Sequence, residues 1–159
     1  MKNLFLTIVT VLIVCSCSKN TKTGLTEEQK SSITAEIVQL NEISFQGIME
    51  GNAEKAFSVF SQQEGVKYIR DGHLYPDIET AKKQYAEWFS APKLTQQEVD
   101  CNPIIYDFLD ENNVLVTQIC SFTTVGDSTN EEPWVLAYTQ VWRKEEDRWK
   151  LFHMHNSWE

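Results

Sequence analysis

The chain has 159 residues, with 23 Asp and Glu against 14 Lys and Arg, for a formal net charge of −9. A chain this acidic has no cationic footprint for phosphate backbones, which excludes nucleic acid as the expected partner, and anionic lipid headgroups would repel it. Its length suits one domain with a core that does not depend on disulfides.

The first sixteen residues read as a leader. Lys2 supplies a basic start, Leu4 to Val14 form an apolar run, and polarity returns at Cys15-Ser16-Cys17-Ser18. The run is shorter than the roughly 20 residues that span a bilayer, so it predicts an export signal and not a membrane helix. Val14-Cys15-Ser16-Cys17 has the branched, small, cysteine order of a bacterial lipoprotein signal, with Cys17 as the lipidated residue. An ordinary cleaved signal is the alternative. The expectation is a chain anchored to the bacterial cell envelope by lipid alone and facing the periplasm. Removal of 1–16 takes Lys2 with it and moves the charge from −9 to −10. Residues 17–25 read as a flexible tether, and the domain proper as 26–159.

Thr26-Glu27-Glu28-Gln29 has the form of a helix-capping box. Ile33, Ile37, Leu40, Ser44 and Ile48 then recur at helical spacing up to Gly51. Asn52 can cap a second helix over Ala53 to Phe60. Val66 to Arg70, the turn dipeptide Asp71-Gly72, and His73 to Tyr75 predict a short hairpin. Pro76-Asp77 opens a third helix with Ala81, Tyr85, Trp88 and Phe89 on its apolar stripe, closed at Pro92. Strand-like runs follow over Leu94 to Phe108, Val114 to Val125, Trp134 to Arg143 and Trp149 to Trp158, with turn-rich links between them. Three helices followed by a meander of long strands predict an α+β fold: a cone-shaped half-barrel, with the helices packed on a curved antiparallel sheet.

Cys101 and Cys120 fall on the two runs that flank Asp110-Glu111-Asn112-Asn113. Their positions allow direct or diagonal opposition across a hairpin. A disulfide and a pair of buried free thiols both fit that placement.

The GNAEKAF step, the YIRDGHLY hairpin and the terminal YTQVWRKEEDRWKLFHMHNS resemble the nuclear-transport-factor-two-like superfamily. The likeness is to SnoaL-like domains and to the association domain of calcium/calmodulin-dependent kinases, and it covers about residues 26–158. Thr139, Val141, Trp142, Trp149, His153, His155 and Ser157 carry the terminal pattern. The resemblance implies a pocket between sheet and helices and a homodimer through the outer face of the sheet. It also implies an activity range from cofactor-independent isomerases, dehydratases and cyclases to modules without catalysis. Where the association domain has pocket arginines, this chain has Gln140 and Asn156.

Three chemistries suit these residues. His153 and His155 share a strand face and could ligate a metal with His73, but neither a CxxC nor an HExxH spacing supports one, so no metal and no cofactor is expected. Acid–base work in an apolar pocket could draw on His153, His155, Asp107, Tyr68 or Tyr106; Asp71 reads as a turn residue. A mostly apolar ligand pocket would be lined by Tyr68, Tyr85, Trp88, Tyr106, Gln118, Tyr138, Gln140, Phe152, Met154 and Asn156. On the last hairpin this wall assumes a three-residue turn at Glu145-Glu146-Asp147, pairing Gln140 with Phe152 and Tyr138 with Met154. The function expected is a small-molecule-binding or assembly module, with the enzyme as alternative.

Overall fold

The computed structural model describes residues 24–89, 97–124 and 133–158. The leader over 1–16, Cys17, Pro92 and the link after Val125 lie outside the described residues, as does the side chain of Trp88.

The first helix, α1, runs Glu27–Glu50. Thr26 caps it as the sequence predicts: Oγ1 accepts from Gln29 N at 3.2 Å, and Gln29 Oε1 accepts from Thr26 N at 2.8 Å. Gly51 ends it at φ 68°, the left-handed conformation that a residue without Cβ adopts at low cost. Helix α2, Ala53–Phe57, is shorter than expected. The chain leaves it at Ser58 because the next residues pair elsewhere: Leu151 N donates to Val59 O at 2.9 Å and Ser61 N to Leu151 O at 3.0 Å. Helix α3, Ile78–Phe89, starts after Asp77, whose Oδ1 accepts from Thr80 N at 2.6 Å.

The strands are β1 Lys67–Arg70, β2 His73–Leu74, β3 Gln97–Phe108, β4 Asn113–Thr124, β5 Trp134–Glu145 and β6 Arg148–Trp158. They form one sheet in the order β2-β1-β6-β5-β4-β3. The sheet is mixed, which corrects the expected antiparallel one: β1 lies parallel to β6, with Tyr68 opposite Met154 and Arg70 opposite Asn156. The hairpin's first strand thereby satisfies backbone groups that would otherwise leave the β6 edge unpaired. The architecture is α+β, helices packed on an open, curved, mixed sheet.

Two extra residues set which side chains reach the concave face. On β3 the ladder passes from Cys101 opposite Cys120 to Ile104 opposite Gln118, a bulge at Asn102-Pro103. On the last hairpin the turn holds two residues, Glu146 and Asp147, at φ 47° and 66°, the positive values a tight two-residue turn requires. The ladder then shifts between Trp142, opposite Leu151, and Val141, opposite His153, which leaves Phe152 as the extra residue. The expected pairing is corrected accordingly: Gln140 faces Met154, and Tyr138 faces Asn156.

The bulge turns Trp149 and Leu151 inward beside Trp142, all three buried. They join Ile37, Phe57, Phe60, Tyr68, Ala81, Val114 and Val116 in one core. Helix α1 reaches this core past α2 at Gly47. A Cβ there would stand against Ala56 N, 2.7 Å from Ala56 Cα and 2.8 Å from Lys55 C. The neighbouring Ser44 Oγ donates to Ala56 O at 2.7 Å, fixing the same contact. Gly47→Ala should therefore destabilise by about 1–3 kcal/mol in denaturant unfolding, despite the better helix propensity of alanine. An unchanged or raised midpoint would show that the two helices have room to separate.

Candidate functional site

Between α1 and the concave sheet face lies a cavity of about 380 Å³. Val38, Asn41, Glu42, Ser44, Phe45 and Ile48 bound it from the helix. Val99, Cys101, Ile104 and Tyr106 line it from β3, Gln118, Cys120 and Phe122 from β4, Tyr138 and Gln140 from β5, and Met154 from β6. Strand alternation explains most of this wall, since every second residue faces the helix. The β3 bulge explains why odd-numbered Val99 and Cys101 share a face with even-numbered Ile104 and Tyr106.

The polar groups of the wall are held in place. Trp142 Nε1 donates to Gln140 Oε1 at 2.9 Å, and Gln140 Nε2 donates to Asn41 Oδ1 at 3.2 Å. Gln140 is 3 % exposed, so this chain of hydrogen bonds satisfies a buried amide and ties β5 to α1. Cys101 and Cys120 stand directly opposite, are joined as a disulfide, and form part of the wall. Burial raises the pKa of Tyr106. Burial, and next Tyr85, raises that of Tyr138 against the opposing charge of Arg70. Both phenols are thus neutral hydrogen-bonding groups near pH 7 and not bases.

Of the residues expected to line a pocket, Tyr106, Gln118, Tyr138, Gln140 and Met154 do so. Tyr68, Tyr85 and Asn156 instead form a packed hydrogen-bonded group beside the cavity. The Tyr68 and Tyr85 hydroxyls are 2.5 Å apart, and Asn156 Nδ2 donates to the Tyr68 hydroxyl at 3.4 Å. Burial first, then Tyr85, pushes the Tyr68 phenol far up, which keeps it protonated near pH 7 and unfit as a base. The bulge takes Phe152 off the wall, its ring under the Arg143 guanidinium with 3.5 Å to the centroid.

His153 and His155 flank Met154, and Asp107 lies between Tyr106 and Phe108, so all three project from the opposite, convex face. The expectation that they could serve a pocket is corrected by this placement. His73 lies on β2, opposite Arg70 and not beside the His pair, and among the described residues no cluster of His, Cys, Asp and Glu could hold a metal ion.

The helix side of the wall was missed. Asn41 and Phe45 lie one position from Leu40 and Ser44 of the apolar stripe, and their places four and eight residues after Ile37 are the available signal.

The SnoaL-like domain model matches residues 37–158. The chain belongs to the SnoaL-like domain family. No curated protein matches it in sequence. Among solved structures, this SnoaL-like domain is similar to an NTF2-like protein of unknown function from Shewanella oneidensis, at 19% identity and TM-score 0.61, over 78% of this chain and 98% of that one. It is also similar to a domain from Xanthomonas campestris provisionally assigned as a calcium/calmodulin-dependent protein kinase II association domain, at 14% identity and TM-score 0.59, over 80% and 86%. A third is an NTF2-like protein from Streptomyces avermitilis provisionally assigned as a dehydratase, at 15% identity and TM-score 0.65, over 82% and 98%. At these identities the likeness establishes the fold.

On the convex face, the SnoaL-like domain places Lys67 beside His153 from β1, Val141 across from it on β5, and His155 two residues on. Burial, and next His155, holds the His153 imidazole below its ordinary 6.5. The unfolded chain therefore takes up this proton first as pH falls, so the stability associated with neutral His153 is intact above 6.5 and is lost as pH drops below it. Melting temperature followed between about pH 5 and 7 should fall on the acid side, and His153→Gln should flatten that fall. Superimposable curves for the two proteins would rule the imidazole out as the source.

Proposed function

We propose that this SnoaL-like domain binds a small, mostly apolar molecule between α1 and its sheet, as a lipid-anchored module facing the periplasm. The observation that carries the reading is the 380 Å³ cavity, within the size range of ligand sites, with an apolar wall interrupted by a few fixed amides and phenols. Isomerase or dehydratase chemistry is the competing use of such a scaffold. It would need an acid–base group inside the cavity; His153, His155 and Asp107 project from the other face, and the carboxylate that borders the cavity, Glu42, lies on the exposed side of α1. Binding is therefore the better-supported function. The anchor rests on Val14-Cys15-Ser16-Cys17 and is read as added diacylglyceryl mass on Cys17 in chain extracted from envelopes.

A second observation favours self-association. Over their central spans β4, β5 and β6 present Leu115, Thr117, Ile119, Ala137, Thr139, Val141, His153 and His155 on the convex face. Those eight positions hold no carboxylate, in a chain of net charge −9; Asp107 projects on the same face from β3, opposite Leu115, and Ile119 is 44% exposed. Two copies apposed over β4, β5 and β6 would meet with less repulsion than the rest of the acidic surface imposes, so we infer a homodimer through the sheet.

Isothermal titration calorimetry with 1-decanol as the probe tests the cavity. The expected result is saturable binding with a negative heat-capacity change, weakened about tenfold by Gln118→Trp, which fills the floor of the cavity. Absence of binding, or full binding to a folded Gln118→Trp chain, would overturn the proposal. For the dimer, sedimentation equilibrium should give a two-chain species that Ile119→Glu converts to single chains, and a single-chain wild type would refute it.

A further inference from the structure

The apolar wall of the cavity does not stop at the cavity. Across the concave face, Val99, Phe122 and Trp134 are paired in one row of β3, β4 and β5, and Leu136 faces Trp158 in the next. Phe45 and Phe122 line the cavity, and from them the rings continue outward. Phe45 and Phe122 are 6.4 Å apart at 43°, Phe122 and Trp158 6.3 Å apart at 51°, and Trp134 and Trp158 5.9 Å apart at 82°. Trp134 and Trp158 are 46% and 40% exposed, although they lie on the face that elsewhere buries its aromatic residues.

Trp158 is also fixed. Its backbone N donates to Asp71 Oδ1 at 3.2 Å, Arg70 Nε donates to Asp71 Oδ2 at 3.3 Å, and the Arg70 guanidinium sits 5.5 Å from the Trp158 ring centroid. An exposed indole held from the backbone and from a ring face is a rigid surface, which lowers the entropy lost when a ligand is placed against it.

We propose that this end of the cavity is a ring-stacking subsite, and that the ligand is a neutral molecule carrying a flat ring system seated among Phe45, Phe122, Trp134 and Trp158, with its remainder in the cavity. This rests on the reading of the cavity as a binding site. Tilted and edge-on rings offer faces and edges to a further ring, an attraction that an alkyl chain of equal area lacks. Neutrality follows from the charges present. Among the described residues the cavity has one carboxylate, Glu42 on the exposed side of α1, and no Lys, Arg or His in its wall, while Arg70 beside Trp158 is paired with Asp71. An ionised ligand would be desolvated there without a dedicated partner.

The test compares N-phenyl-1-naphthylamine, a neutral ring probe excited by tryptophan emission, with 1-decanol and 1-naphthoate, on the purified chain. The expected result is that the naphthylamine binds with energy transfer from tryptophan and more tightly than either other probe. Trp134→Leu and Trp158→Leu should each weaken it by about fivefold while leaving 1-decanol unchanged. Both side chains are exposed, and either variant suffices should the other fail to fold. Equal losses for naphthylamine and decanol, unaltered naphthylamine binding, or preference for naphthoate would overturn the ring subsite while leaving the cavity reading intact. Failure of every probe to bind would overturn the cavity reading itself. If the wild-type tryptophans resist acrylamide quenching as strongly as those of a chain lacking Trp134 and Trp158, the rings are already covered and the subsite is refuted.

Discussion

A helix can lie across the concave face of a sheet only if the polar groups caught between them are paired, and the Trp142–Gln140–Asn41 chain meets that condition here. Trp142 is fully buried, and its indole N–H has no route to water. Gln140 accepts from it and passes the requirement on to Asn41 of α1, so the position of the helix is coupled to the packing of the deepest residue in the sheet. Gly47 completes the placement, because only a residue without a side chain lets α1 approach α2 at Ala56. Between the hydrogen-bonded end and the glycine contact, α1 is held off the floor formed by Gln118 and Tyr138, and the space left is the cavity.

The helices, the hairpin at Asp71-Gly72 and the four long strands were legible because each has a local cause: a capping box at Thr26, a cap at Asn52, turn dipeptides, and apolar periodicity. The register was not. Phe152 and the Asn102-Pro103 bulge are single-residue insertions whose cause is tertiary, the fit of Trp149 and Leu151 against Trp142 and the opposition of Cys101 to Cys120. A shift of two leaves a strand's faces unchanged, which is why Gln140, Tyr138 and Met154 were correctly placed on the cavity side despite wrong partners. A shift of one exchanges them, which is why Phe152 was not. The parallel pairing of β1 with β6 was likewise invisible, since no local signal joins segments so far apart in the chain.

The same alternation separates the two suggestive histidines from the cavity. His153 and His155 bracket a residue that faces inward, so their place in the terminal pattern puts them on the convex face of the sheet. The resemblance of that pattern to association domains and SnoaL-like domains is therefore a statement about packing. The inner surface of this chain carries amides at Gln140 and Asn156 and phenols at Tyr106 and Tyr138, and its aromatic residues extend beyond the enclosed space.

The disulfide between Cys101 and Cys120 has a mechanical consequence. Strand β3 is the edge of the sheet, held by a single ladder, and would ordinarily be the compliant side of any space it encloses. The crosslink makes β3 and β4 move as one plank at the point where both border the cavity. Give in the walls is thereby shifted to the opposite side, where α1 is fastened at Asn41, near Ser44 and Gly47, and at its C-terminal end by the Glu50–Lys55 ion pair. Guests of different girth would be accommodated by a tilt of the helix about those fastenings, with the strands acting as the anvil.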